Sequence, residues 1–214
     1  MFITLEGPEG SGKTAQLKRL VETLVERGYP VLKTREPGGT AIGDQIRATI
    51  LDPSNTAMVD RTEALLLQAS RAQLVEEVIK PHLAREQIVI CDRYADSTLA
   101  YQGYGYQNDL DALRKIIAYA TDGLVPDLTV LLDIDPEVGL KRRNKAGNIN
   151  RLDVLELDFH RRVREGYLTL ARAEPGRWEV IDAARPLEQV QQQLLQVVLD
   201  RIEEGKGTKK VERK

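Results

Sequence analysis

Apolar runs of strand length recur along the chain: "FITL" at residues 2–5, "PVLKT" at 30–34, "QIVIC" at 87–91, "LTVLLDI" at 128–134 and "WEVI" at 178–181. Short runs rich in Val and Ile and bounded by turn residues suit strands of a parallel sheet buried on both faces. Between them apolar positions return every three or four residues. The stretch 14–27 puts Leu17, Leu20, Val21, Leu24 and Val25 on one helical face, and Gly28 should stop it. At "DRTEALLL", Asp60 followed by Glu63 reads as a capping box, and that helix can run until Pro81 disturbs it. Further helices are predicted at about 108–121, 136–146, 153–173 and 186–204, with Pro136 and Pro186 near two of the starts. Strands alternating with helices make a doubly wound α/β sheet, whose ligands sit beyond the carboxyl ends of the strands.

At the first such strand end stands "GPEGSGKT". Gly7, Gly12, Lys13 and Thr14 meet G-x-x-x-x-G-K-[ST] in full, and Pro8, Glu9, Gly10 and Ser11 fill the variable places. The pattern lies between a predicted strand and a predicted helix, as its chemistry requires. Successive backbone N–H groups and the helix N-terminus cradle phosphates, the lysine reaches the terminal ones, and the Thr14 hydroxyl binds Mg²⁺. A second acid should organise the metal from a neighbouring strand end. Asp92 in "VICDRY" is placed for it.

Composition narrows the picture. The 214 residues hold 31 basic and 33 acidic side chains, a net charge of −2 that gives no reason to expect a nucleic-acid partner. That length suits one domain, taken as residues 1–204, followed by a basic and flexible tail at 205–214. The lone Cys91, inside "IVICD", reads as a buried small residue of a reducing compartment, and no run approaches the roughly 20 apolar residues of a membrane span. A cytoplasmic protein with no membrane partner is expected. A guanine switch would carry Asn-Lys-x-Asp, whereas "NKAG" at 144–147 ends in Gly. His82 and His160, the two histidines, fall in no motif.

Four further stretches, in order and spacing over nearly all of residues 1–204, resemble the thymidylate kinase family: "REPGGT" at 35–40, "EALLLQASRAQLVEEVIKP" at 63–81, "DRYADSTLAYQGYG" at 92–105 and "NRLD" at 150–153. The resemblance implies a P-loop nucleoside monophosphate kinase fold, with five parallel strands in the order 2-3-1-4-5 and helices on both faces. It implies transfer of a phosphoryl group from ATP to dTMP with Mg²⁺, and a homodimer. Alternatives are another nucleoside or nucleotide kinase, or a non-catalytic nucleotide-dependent binding protein.

By that resemblance Arg47 and Arg93 hold the dTMP phosphate, Arg71 bonds the thymine O4, and Ser97, Tyr101 and Gln102 line the nucleoside pocket. Glu36 lies near the acceptor, and Lys13, Arg93 and Glu9 belong to the catalytic group. A fork of N–H donors suits a phosphate, and a directed donor suits a carbonyl. Two positions depart from the family. Leu67 stands where a Phe usually stacks on thymine, with Gln68 beside it, and Ala15 follows Thr14 where a second Thr is common.

The phosphate loop has no arginine, so charge on the transferred group must be met from elsewhere. "GLKRRNKAGNINRLD" at 139–153 sets Lys141, Arg142, Arg143, Lys145 and Arg151 around a Gly/Asn-rich turn and reads as a basic lid over about 141–153. This is similar to bacterial members of the family whose lid supplies the catalytic arginine, here Arg143 or Arg151 ahead of Arg142.

Overall fold

The computed structural model describes residues 1–145 and 155–211, with side chains through 205. In chain order the elements are β1 (Phe2–Glu6), α1 (Lys13–Glu26), β2 (Val31–Arg35), α2 (Ala41–Leu51) and α3 (Asp60–Leu74), which runs through a π turn (Val75–Ile79) into α4 (Lys80–Ala84). Then come β3 (Ile88–Asp92), α5 (Ala95–Thr98) widening into a second π turn (Leu99–Gly105), α6 (Leu110–Thr121) and β4 (Leu128–Asp133). The remainder is α7 (Pro136–Lys145), α8 (Leu157–Ala173), β5 (Trp178–Asp182) and α9 (Leu187–Val211).

Five parallel strands pair in the order β2-β3-β1-β4-β5, the expected order. Every residue of the central β1 is buried, because helices cover both faces of the sheet. Ile3, Leu5, Val130 and Leu132 point to one face, where Leu17, Leu20 and Leu24 of α1 and Val190, Leu194 and Val198 of α9 meet them. Phe2, Val89 and Cys91 point to the other, against Leu74, Val75 and Ile79. Leu131 and Trp178 join Tyr101, Phe159, Val163 and Tyr167 in a third cluster. Each fully buried leucine contributes about 2 kcal/mol of transfer free energy, enough to fix which faces the helices present.

Several local expectations change. Val25 is 54% exposed, so the buried stripe of α1 is Leu17, Leu20 and Leu24. Gly28 does end that helix: at φ 82° its N–H reaches Val25 O while Tyr29 N reaches Leu24 O, closing the last carbonyls. The capping box is absent. Val59 is the cap of α3, and the Asp60 carboxylate accepts from the adjacent Arg61 N instead.

Pro81 does not stop the helix either. It falls in the first turn of α4, where a missing N–H is cheap, and the wide π turn before it takes up the carbonyl its ring would strike. α2, absent from the sequence expectations, starts at Thr40, whose hydroxyl accepts from Gly43 N at 2.9 Å. α9 continues past 204 to Val211, since the lysines at 206, 209 and 210 suit a helix and the two glycines only weaken it.

The register puts Arg35 beside Asp92, and Asp92 beside Leu5, the residue before Glu6. The carboxyl ends of β2, β3 and β1 thereby bring one cation and two carboxylates to a single rim.

Candidate active site

The phosphate loop leaves β1 at Glu6 and enters α1 at Lys13. Two glycines make that path possible. Gly12 caps α1 in the left-handed region at φ 87°, and Gly10, at φ 70°, packs so closely on α7 that a Cβ would collide with the Gly139 backbone. Lys13, only 8% exposed, folds back along the loop and donates to Gly7 O at 2.8 Å, Pro8 O at 3.0 Å and Ser11 Oγ at 3.2 Å. Burial and the Arg93 charge push its ammonium down to about 8, against the opposing pull of Glu9, Asp92 and Glu6.

A cavity of about 840 Å³ opens beside the loop. The loop from Glu9 to Thr14 forms one wall, with Arg142 and Arg143 of α7 on the same cavity. Glu36, Arg47, Leu67, Arg71, Ser97, Tyr101 and Gln102 also line it, with Asp92 and Arg93 between. Gly7 and Pro8 contribute only the carbonyls that hold Lys13. Arg151 and the lid from 146 lie outside the described residues.

Arg93 sits at the centre. Its backbone is in the left-handed region at φ 68°, pinned by its N–H to Leu5 O, and this strained turn sends the side chain into the cavity. Nη2 donates to Glu9 Oε1 and to the Tyr101 hydroxyl, both at 3.0 Å; Nη1 donates to Tyr167 OH at 3.0 Å and Ser97 Oγ at 3.2 Å. Burial alone would raise the Glu9 carboxyl, but Arg93 and Lys13, helped by the Tyr101 hydroxyl and the Arg143 charge, hold it at about 2. Glu9 is therefore an anion at any working pH.

Arg47, on α2, is half buried and donates to Pro37 O at 2.9 Å. Burial and the neighbouring Arg35 and Arg93 charges lower its pKa, opposed by Asp92 and Asp44. Guanidinium groups gathered in one place repel unless an anion lies between them, so this corner suits a phosphate.

Arg71 has the opposite setting. It is 1% exposed, and Nε and Nη2 both donate to Glu36 Oε2, at 2.8 and 2.6 Å. Glu36 Oε1 is buried with no hydrogen-bond partner. Burial raises the Glu36 pKa, with Arg71 pulling against it. The Gln102 amide turns to the buried Glu63 carboxylate at 2.6 Å. Leu67 is half buried on the cavity wall.

Three residues beneath the site gave no distinct sequence signal. Glu6 is fully buried; Oε1 accepts from Tyr94 N at 2.7 Å, and Oε2 from Ser97 Oγ at 2.6 Å and Tyr167 OH at 2.9 Å. Burial and the nearby Asp96 raise its carboxyl to about 7, although Arg93 and the bonds from Ser97 and Tyr94 oppose them. Asp96 is held by Arg177 through two bonds of 2.6 and 3.0 Å. Tyr167 arrives from α8, seventy positions from Ser97. An acidic residue closing an apolar strand just before a phosphate loop was the one available hint.

The parallel sheet, the left-handed glycines and the lysine-bearing loop define a P-loop kinase fold. A family model described as Thymidylate kinase matches residues 5–194. The chain is 52% identical to the thymidylate kinase of Deinococcus radiodurans, over 94% of this chain and 97% of that one, and 47% identical to that of an Exiguobacterium species, over 96% and 97%. The crystal structure of thymidylate kinase from Ehrlichia chaffeensis superposes with a TM-score of 0.77 at 34% identity, covering 93% of this chain and 98% of that one. The chain belongs to the thymidylate kinase family.

Proposed function

We propose that the protein phosphorylates dTMP to dTDP with ATP as donor. One observation carries this reading: the phosphate loop and the Arg47–Arg93 corner border the same continuous cavity, so two phosphate-bearing ligands can meet in it. The loop N–H groups hold the donor phosphates, and Lys13 exchanges the Gly7 and Pro8 carbonyls for phosphate oxygens. Arg47 and Arg93 hold the acceptor phosphate, with Arg93 kept in place by Glu9, Tyr101, Ser97 and Tyr167. Leu67 packs on the base and Arg71 meets its carbonyl edge.

Thr14 and Asp92 both line the cavity and supply the hard oxygen donors that suit Mg²⁺, which keeps most of its remaining ligands as water and phosphate. When bound, the metal supplies charge neutralisation of the donor phosphates. The chain's own contribution is positioning the two phosphates in line and lowering the cost of the charge between them. No covalent enzyme intermediate is needed. A lid arginine, Arg143 or Arg151, completes the charge stabilisation on closing.

Among the described residues no helix is long and apolar enough to cross a membrane; we place the protein in the cytoplasm. Ile42 of α2 and Leu65 of α3 are 51% and 53% exposed, with Val59 at 58%, and apolar side chains left exposed on these two helices support a homodimer. The deciding experiment is an acceptor panel with labelled ATP, with Lys13→Ala as control. dTMP should be the preferred acceptor and Lys13→Ala should be inactive while still folded; preference for another nucleotide, or turnover by the variant, overturns the reading.

A further inference from the structure

An arginine carries five N–H donors, and in Arg71 all five are already taken within the chain. Nε and one Nη2 proton go to Glu36 Oε2, the second Nη2 proton to Tyr94 O at 2.9 Å, and the two Nη1 protons to Gln68 Oε1 at 2.7 Å and Thr98 Oγ1 at 3.1 Å. Arg71 can therefore read a base carbonyl only by giving up one of these bonds. The two bonds to Glu36 are charge-assisted and buried, which makes them the costliest to break. The proton on Tyr94 O belongs to Nη2, which also makes the 2.6 Å bond to Glu36. Drawing it away would disturb the charge-assisted pair, even though Tyr94 O keeps Ser97 N as a second donor at 3.1 Å. Nη1 is thus the arm that can exchange. Of its two partners, Thr98 lines the cavity and Gln68 does not, so the proton directed at Thr98 is the one a ligand can reach.

Gln68 lies one helical turn before Arg71 on α3, 6% exposed. Its amide nitrogen makes two long bonds, to Thr98 Oγ1 at 3.3 Å and Ala64 O at 3.4 Å. Gln68, Arg71 and Thr98 thus close a triangle in which the Thr98 oxygen has two donors. Losing Arg71 does not orphan that oxygen, because the Gln68 amide can tighten onto it, and an oxygen left buried without a donor would oppose the exchange.

We infer that Gln68 is a positioning residue for base recognition: its carbonyl oxygen holds Arg71 from behind, and its amide nitrogen takes over the Thr98 oxygen when a pyrimidine 4-carbonyl claims the Arg71 proton. This rests on the dTMP reading above and deepens it. The ligand class it favours is a 4-oxo pyrimidine nucleotide. A 4-amino group presents hydrogens to Arg71, so the exchange returns nothing.

The test compares dTMP with 5-methyl-dCMP, which differs at the C4 edge of the base, by equilibrium binding and steady-state kinetics of the full chain. Gln68→Met keeps length and removes both polar atoms. KM for dTMP should rise about tenfold or more, with a smaller change in kcat, and the preference for dTMP over 5-methyl-dCMP should shrink; a merely structural role would lower the amount of folded enzyme without touching that preference. Thr98→Val supplies a second route that does not depend on the folding of Gln68→Met: with the exchangeable oxygen removed, dTMP affinity should hold or increase. Unchanged preference in Gln68→Met, or a tenfold loss of dTMP affinity in Thr98→Val, overturns the inference. Wild-type enzyme that ignores dTMP altogether would instead overturn the parent reading.

Discussion

Arg93 Nη2 donates to Glu9 Oε1 at 3.0 Å and so ties the phosphate loop to the end of β3. The two residues act through one bond, and the Tyr101 hydroxyl reinforces it by donating to the same oxygen at 2.8 Å. Residues that share a bond should be non-additive when removed. We expect Arg93→Ala to cut kcat/KM for dTMP by about 10³-fold and Glu9→Ala by roughly tenfold to a hundredfold, with the double variant no worse than Arg93→Ala alone. A double variant whose losses multiply would mean that Glu9 works independently of Arg93.

Glu6 provides a pH signature. Its carboxyl stands at about 7 in the folded chain against 4.5 ordinarily, raised chiefly by burial and Asp96. A raised acid favours the folded state below the unfolded pKa, and this contribution is lost as pH climbs through the folded one. The window is therefore pH 4.5 to 7, across which about 3 kcal/mol of stability should drain away. Glu6→Gln should flatten that slope in urea unfolding measured at steps between those pH values. Any slope that remains belongs partly to Glu36, raised in the same direction by burial. An identical slope in both proteins would show that Glu6 does not titrate in this range.

Leu67 offers a test of where the base lies. Leu67→Phe adds a ring to the cavity wall, and stacking on a pyrimidine is worth on the order of 1 kcal/mol. Overpacking opposes it with similar size, but the side chain is only half buried and has room on the cavity side. dTMP binding should tighten several-fold by calorimetry, with ATP binding unaffected. Unchanged dTMP affinity would place the base elsewhere.

These residues also mark what could be read in the chain. The loop and the strand alternation were legible because strong local patterns carry them: Gly12 has to be left-handed, and β1 and β4 are short, mostly apolar runs, whereas the strand order came only through the family resemblance. Asp92 and Arg93 were visible at a strand end for the same reason. α2 was not, because its apolar side chains form no buried stripe, with Ile50 buried but Ile42 51% exposed, and its start depends on a single Thr40 hydroxyl. Glu6 and Gln68 escaped because their partners, Tyr167 and Thr98, are 161 and 30 residues away. The engagement of every Arg71 donor is likewise a tertiary fact. No periodicity encodes it.

The lid arginines can now be ordered by what they touch. Arg142 Nη1 donates to Ala183 O at 2.9 Å, which anchors it toward the loop after β5. Arg143 instead helps to depress the Glu9 carboxyl, so its charge is directed at the phosphate loop. An arginine that meets the transferred group only in the transition state lowers kcat when removed and leaves ground-state binding nearly intact. Such arginines are worth about 10³-fold in rate, whereas an anchoring arginine at a helix end costs little. We therefore expect Arg143→Ala to reduce kcat by about a hundredfold or more with dTMP affinity little altered, and Arg142→Ala by less than about tenfold. Arg151→Ala belongs in the same series, since that residue lies outside the described residues and competes for the role. Single-turnover kinetics on the three variants decides the matter: a near-normal kcat in all of them would make the lid a cover alone and move the charge stabilisation to Lys13, Arg93 and the metal.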